Sequence, residues 1–178
     1  MKKHKDVLQK LINKYKFTKF AELGVYEGST TFHLLRNCPG IKEYWAVDPW
    51  RKVEEKEWGW RFRHREQIVW DEMYKTLCKT MISFPSLKVL RMPNLEAVSF
   101  FPDGYFDFIY IDTSHFYQDT LDEIKAWLPK VRKGGFLGGH DYGTTNTYHM
   151  GVTKAVDEIF GPWPNIKLSR DMTWWKVV

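Results

Sequence analysis

The run Phe20-Ala21-Glu22-Leu23-Gly24-Val25-Tyr26-Glu27-Gly28-Ser29-Thr30-Thr31 constrains the fold of this chain more than any other stretch. An apolar segment ends at Leu23, turns on small residues and enters a helix. Gly24 and Gly28 lack a Cβ, so the backbone there can adopt unusual angles and let a ligand come close. Ser29 and Thr30 fall in the first helical turn, where unpaired N–H groups face whatever is bound. The spacing E-x-G-x-x-x-G differs from the dinucleotide fingerprint G-x-G-x-x-G. Read alone, it is equally the strand–turn–helix of any α/β protein.

The rest of the chain repeats that alternation. Val7, Leu8, Leu11, Ile12 and Tyr15 recur at helical spacing and predict a first amphipathic helix. Strands are predicted at 19–23, 43–47, 86–90, 106–111 and 136–139. Helices are predicted around 29–37 and through the stripes Val69-Trp70-Met73-Leu77-Met81, Leu121-Ile124-Trp127-Leu128-Val131 and Val152-Ala155-Val156-Ile159-Phe160. Residues 166–168 and 174–178 can close as a hairpin. The expected fold is therefore α/β: a doubly wound, Rossmann-like, mostly parallel sheet with a C-terminal antiparallel hairpin. With 178 residues and no linker or repeat, a single domain over 1–178 is expected.

Ligands of such sheets bind beyond the carboxyl ends of the strands, so the residues there are the candidates for chemistry. Asp48 and Pro49 close the second strand, and a carboxylate 24 positions after Gly24 can take both ribose hydroxyls of an adenosine. It can equally cap the segment that follows. Asn94 and Leu95 follow the third strand; Asn94 has an amide to offer a purine edge, or serves as a turn former beside Pro93. Asp112 and His115 end the fourth strand, and His140 and Asp141 the fifth. Adjacent strands would gather Asp112, His140 and Asp141 around one point, a donor set suited to Mg²⁺ or another divalent ion. His115 and His140 are also candidate bases.

The arrangement "IDTSHFY", then a helix, then "LPKVRKGGFLGGHDYG" and "GVTKAVDEIF" resembles the class I S-adenosylmethionine (SAM) methyltransferases of the Methyltransferase-24 type. These are related to the macrocin-type and catechol-type O-methyltransferases, and the resemblance runs from about residue 18 to 160. It implies that Glu22, Gly24, Val25, Tyr26, Gly28, Ser29 and Thr30 form the turn that holds SAM. It further implies Asp48 and Pro49 at the ribose, Asn94 and Leu95 at the adenine, and Asp112 beside both cofactor and metal. His140-Asp141 falls where the family usually has an acidic pair, so His140 departs from the pattern. It could ligate, act as a base, or mark a member without metal. His115 sits where catechol-type enzymes place a catalytic lysine. The implied catalytic set is His115, His140 and Asp112, acting on a hydroxyl of a small molecule or sugar.

Composition trims the alternatives. The net charge of +5 and pI near 9.1 admit acidic partners, but no N-P-P-Y-like or Pro-Cys motif of nucleic-acid methyltransferases occurs, so nucleic acid is not the expected partner. A SAM-binding or partner-binding module without turnover stays open, and a nicotinamide oxidoreductase is disfavoured by the glycine spacing. Four of the nine tryptophans (Trp50, Trp58, Trp60 and Trp70) crowd one segment, which makes 50–70 a candidate substrate lid or, alternatively, a dimer-forming element. No run approaches the ~20 apolar residues of a membrane span. The basic N-terminus lacks an apolar follower, and Cys38 and Cys78 show no metal spacing, so a reduced, cytoplasmic protein is expected.

Overall fold

The computed structural model describes residues 3–52, 65–145 and 150–178. Helix α1 (His4–Tyr15) precedes β1 (Lys19–Leu23), α2 (Ser29–Asn37) and β2 (Glu43–Asp48). Then come α3 (Gln67–Ser83), β3 (Leu87–Arg91), the single turn α4 (Asn94–Ala97) and β4 (Phe106–Ile111). Helix α5 (Tyr117–Trp127), β5 (Val131–Gly139), α6 (Met150–Phe160), β6 (Lys167–Leu168) and β7 (Trp174–Val177) complete it. The sheet order is β3-β2-β1-β4-β5-β7-β6. The first five strands are parallel, and β7 runs antiparallel to both β5 and β6.

Because helices cover both faces, the strands are apolar on both, and alternate residues feed two cores. Phe20, Tyr44, Phe108, Tyr110 and Phe136 pack beneath α1, α2 and α3. Ala21, Leu23, Val47, Ile109, Ile111 and Leu137 pack against Leu121, Ile124 and Trp127 of α5 and Val152 and Val156 of α6. Among the described residues, no helix is long and apolar enough to cross a membrane.

Two elements differ from the sequence reading. Strand β5 begins at Val131, not 136, because Val131 pairs with Phe106 and its side chain is buried. The Gly134-Gly135 pair is a bulge within the strand, with Gly134 at φ +76°. Residues 94–100, for which no element is predicted, form α4 and a following 3-10 turn. Of the segment 50–70, residues 53–64 lie outside the described residues. Trp50 and Trp70 at its ends are buried in the core rather than presented on a lid.

Gly138 and Gly139 owe their place to packing. A Cβ on Gly139 would stand 2.6 Å from the Ile111 carbonyl oxygen, and one on Gly138 2.6 Å from that of Trp174. The strand ends are level. Gly24 N–H donates to the Val47 carbonyl (3.0 Å), Asp112 N–H to that of Leu23 (2.9 Å) and His140 N–H to that of Ile111 (3.3 Å). Residues 24–26, 48–50, 112–115 and 140–142 therefore emerge side by side along one edge.

Candidate methyl-transfer site

The turn after β1 is held in an unusual conformation: Gly24, Tyr26 and Gly28 have φ of 85°, 53° and 78°. Gly28 N–H closes it on the Val25 carbonyl at 2.9 Å. At Gly24 a Cβ would overlap the Asp112 carbonyl oxygen at 2.0 Å, so the turn and the end of β4 are in backbone contact. Helix α2 starts at this turn with no side chain capping it, leaving its first-turn N–H groups facing the edge. Such an end suits the carboxylate of an amino-acid ligand.

Asp48 is spent on the turn. Its Oδ2 accepts from Val25 and Tyr26 N–H, both at 2.9 Å, and its Oδ1 from Trp50 N–H at 2.7 Å. Burial raises its pKa, against these three backbone donors. A ribose hydroxyl would share the remaining lone pair of Oδ1. Glu22 lies beneath the turn, its Oε2 accepting from Thr31 Oγ1 and Tyr44 Oη at 2.5 Å each. Burial pushes its carboxyl up to about 8. Thr30 is buried and its hydroxyl meets His4 Nε2 at 2.9 Å, whereas Ser29 is exposed. Pro49 is half-buried and Leu95 exposed. Asn94 is buried and gives its Nδ2 to Glu123 Oε1 at 2.8 Å.

At the ends of β4 and β5, two carboxylates converge on one imidazole nitrogen. His115 Nε2 lies 3.1 Å from Asp112 Oδ1 and 2.9 Å from Asp141 Oδ2. His115 and Asp141 both have left-handed backbones, φ 65° and 62°, a costly conformation for such residues and one that gathers at functional sites. Burial alone would lower the His115 pKa, but the hydrogen bonds to Asp112 and Asp141 outweigh it and push it up to about 10. Burial would raise both aspartates, yet the histidines hold them below the usual carboxylate range. In the absence of a cation, the two carboxylates thus favour the protonated form of His115.

The donor atoms of Asp112, His115 and Asp141 lie within 4.8 Å of one another. Donors sharing one ion at ~2.1 Å stand roughly 3–4 Å apart, so a divalent cation fits this set with little movement. The sequence reading put His140 in that place. The structure instead sets His140 Nδ1 against the other oxygen of Asp141, Oδ1, at 3.3 Å, with its ring edge-on to His4 at 5.1 Å. His140 is thus behind Asp141 and His115 in front of it. His4, Thr113 and Glu123 are additions that sequence reasoning missed. The D-x-x-H spacing of Asp112 and His115 was a visible signal, but for the other three no motif existed to find.

This strand order, with its antiparallel last pair, is the class I methyltransferase fold. The profile of the Methyltransferase-24 family, described as a methyltransferase domain, matches residues 21–142, well over half of the chain, and the chain belongs to that family. No curated protein matches. Among solved structures, the O-methyltransferase NovP shares 16% identity over 98% of this chain and 77% of its own, with a TM-score of 0.67. Cofactor-bound Rv0187 from MTB shares 14% over 98% and 78%, at 0.66. CalS11, a TDP-rhamnose 3'-O-methyltransferase of calicheamicin biosynthesis, shares 14% over 97% and 76%, at 0.62. At these identities the likeness is one of fold.

Proposed function

We propose that this protein is a SAM-dependent O-methyltransferase acting on a hydroxyl of a small molecule or sugar, with a divalent cation held by Asp112, His115 and Asp141. The observation that carries the reading is the convergence of the two strand-end carboxylates on His115, beside the glycine turn after β1. SAM supplies a methyl group on a sulfonium, already a good leaving group. A divalent ion in the Asp112–His115–Asp141 set would lower the pKa of an acceptor hydroxyl.

The chain's own residues do the positioning. The Gly24–Gly28 turn, pinned by Asp48, and the helix α2 that follows it, tied to β1 through Thr31 and Glu22, fix the donor end. Asp112 and Asp141 fix the acceptor end, with His140 orienting Asp141. Because the Gly24 turn touches the Asp112 backbone, the two ends are set at a constant separation. Such alignment is worth about 7–11 kcal/mol, against about 10²–10⁴-fold for a positioned base. With its Nε2 given to the cation, His115 is a neutral imidazole with no lone pair left for a proton, so the acceptor's proton leaves to water or to a carboxylate.

Calorimetric titration with S-adenosylhomocysteine and with Mn²⁺ tests this, together with methyl transfer from labelled SAM to catechol and sugar acceptors. Wild type should bind both ligands. His115→Ala should lose Mn²⁺ affinity by about 10-fold or more, and His140→Ala, which acts only through Asp141, by less. Absence of S-adenosylhomocysteine binding would sink the SAM reading. Equal effects of the two histidine variants would sink the ligand assignment.

A further inference from the structure

Beneath the site lies a buried carboxylate that neither the cofactor turn nor the metal set uses. Glu123 projects from the inner face of α5, beside Leu121, Ile124 and Trp127, and is 6% exposed. Its Oε1 accepts from Asn94 Nδ2 at 2.8 Å and its Oε2 from Thr113 Oγ1 at 2.6 Å. Both partners are neutral, so among the described residues no ion pair offsets its burial, and its carboxyl is pushed up to about 7. A leucine in the same place would pack without that cost. The expense calls for a purpose other than stability.

The two partners indicate one. Asn94 opens α4 just after β3, on the side of the site where the adenine end of the cofactor is expected. Thr113 directly follows Asp112 at the end of β4. In the sheet, β3 and β4 are separated by β2 and β1, so no backbone ladder links their ends. Glu123 does so in one step, and Trp127 Nε1, one turn further along α5, adds a bond to the Asn94 carbonyl at 3.1 Å. The two loops are thereby tied to a common helix. Ordering one loop pre-pays the cost of ordering the other, which is the condition for coupled binding.

We propose that Glu123 is a positioning residue that couples cofactor binding at the β3 end to metal binding at the β4 end, by holding Asn94 and Thr113 in one register. This inference rests on the SAM and metal reading above. Its test is the ratio of S-adenosylhomocysteine dissociation constants without and with saturating Mn²⁺, measured by calorimetry on wild type, Glu123→Gln, Glu123→Ala and Thr113→Val. S-adenosylhomocysteine carries no sulfonium charge, so the ratio does not register repulsion between that charge and the metal. Wild type should show a ratio of about 5 or more. Glu123→Gln, which can still accept from one partner and donate to the other, should keep it. Glu123→Ala and Thr113→Val should bring it close to 1, and Thr113→Val serves if the alanine variant does not fold. A merely structural role would lower melting temperature and leave the ratio unchanged, and that result would overturn the proposal. Wild-type binding of S-adenosylhomocysteine that is indifferent to Mn²⁺ would also overturn it while leaving the SAM reading intact. No wild-type binding at all would remove both.

Discussion

Gly24 offers a test in which strain and collision can be separated. A Cβ at Gly24 would sit 2.0 Å from the Asp112 carbonyl oxygen and 2.7 Å from its carbon, both backbone atoms that no rotamer change can move, and φ is +85°. Gly143 has nearly the same φ, +77°, with no described residue within 4 Å of its would-be Cβ. Gly40 has open space and no positive φ. Alanine in a left-handed conformation costs about 1–2 kcal/mol, and forcing a methyl into packed backbone adds about 1–3 kcal/mol. At about 3 °C per kcal/mol for a chain of this size, Gly143→Ala should melt about 4 °C lower and Gly24→Ala about 10 °C lower. Gly40→Ala should stay within about 2 °C of wild type. Thermal melts by circular dichroism, with S-adenosylhomocysteine titrations of each variant, read the series. If Gly24→Ala melts within about 2 °C of Gly143→Ala, the backbone contact between the cofactor turn and β4 is not tight, and the constant donor–acceptor separation argued from it falls.

Two further outcomes follow from buried carboxylates. The Glu22 pKa of about 8 is above its ordinary 4.5, so its contribution to stability is complete below about pH 4.5 and is lost as pH rises through 8, by no more than about 5 kcal/mol. Glu22→Gln should therefore gain on wild type in melts at pH 8.5 relative to pH 5, and an unchanged difference would show that Glu22 is not buried as a neutral acid. Asp48→Ala leaves three backbone N–H groups without their acceptor, at about 1–3 kcal/mol each before water compensates. Denaturant unfolding should show a loss of about 3 kcal/mol with Asp48→Asn in between, and a loss below about 1 kcal/mol would refute its role in pinning the turn.

Much of the frame was legible because its chemistry is local. Strand β1 and helix α2 fall at 19–23 and 29–37 as the glycine turn between them required. The strand ends bearing Asp48, Asp112 and His140-Asp141 follow from alternation and topology. What failed to show was which way the chain turns after those ends. Register sets His140 opposite Asp112, since Ile111 pairs with Gly139, and period-2 reasoning stops there. The left-handed backbones of His115 and Asp141 then bring His115 in front of the carboxylates, a property no spacing encodes. Asp48 lay where a ribose ligand belongs, but the three N–H groups it accepts from come from a folded turn and from Trp50, two residues on. Glu123 belongs to no motif and lies off the apolar stripe of its helix; only Asn94, 29 positions earlier in sequence, and Thr113 explain its burial. The helical turn at 94–100 was too short to show a period.

Trp50 is fully buried against the turn after β1, its Nε1 donating to the Tyr26 carbonyl at 2.9 Å. The Trp70 ring meets the Tyr26 ring edge-on at 5.8 Å. Trp127, by contrast, lies in the other core beneath α5. The protein thus carries its own optical reporters: whatever settles into the 24–26 turn alters the surroundings of two of its nine indoles, read as a difference against the other seven. Occupancy can be followed by intrinsic fluorescence without any label, and replacing Trp50 or Trp70 by phenylalanine assigns the signal to one face of the turn.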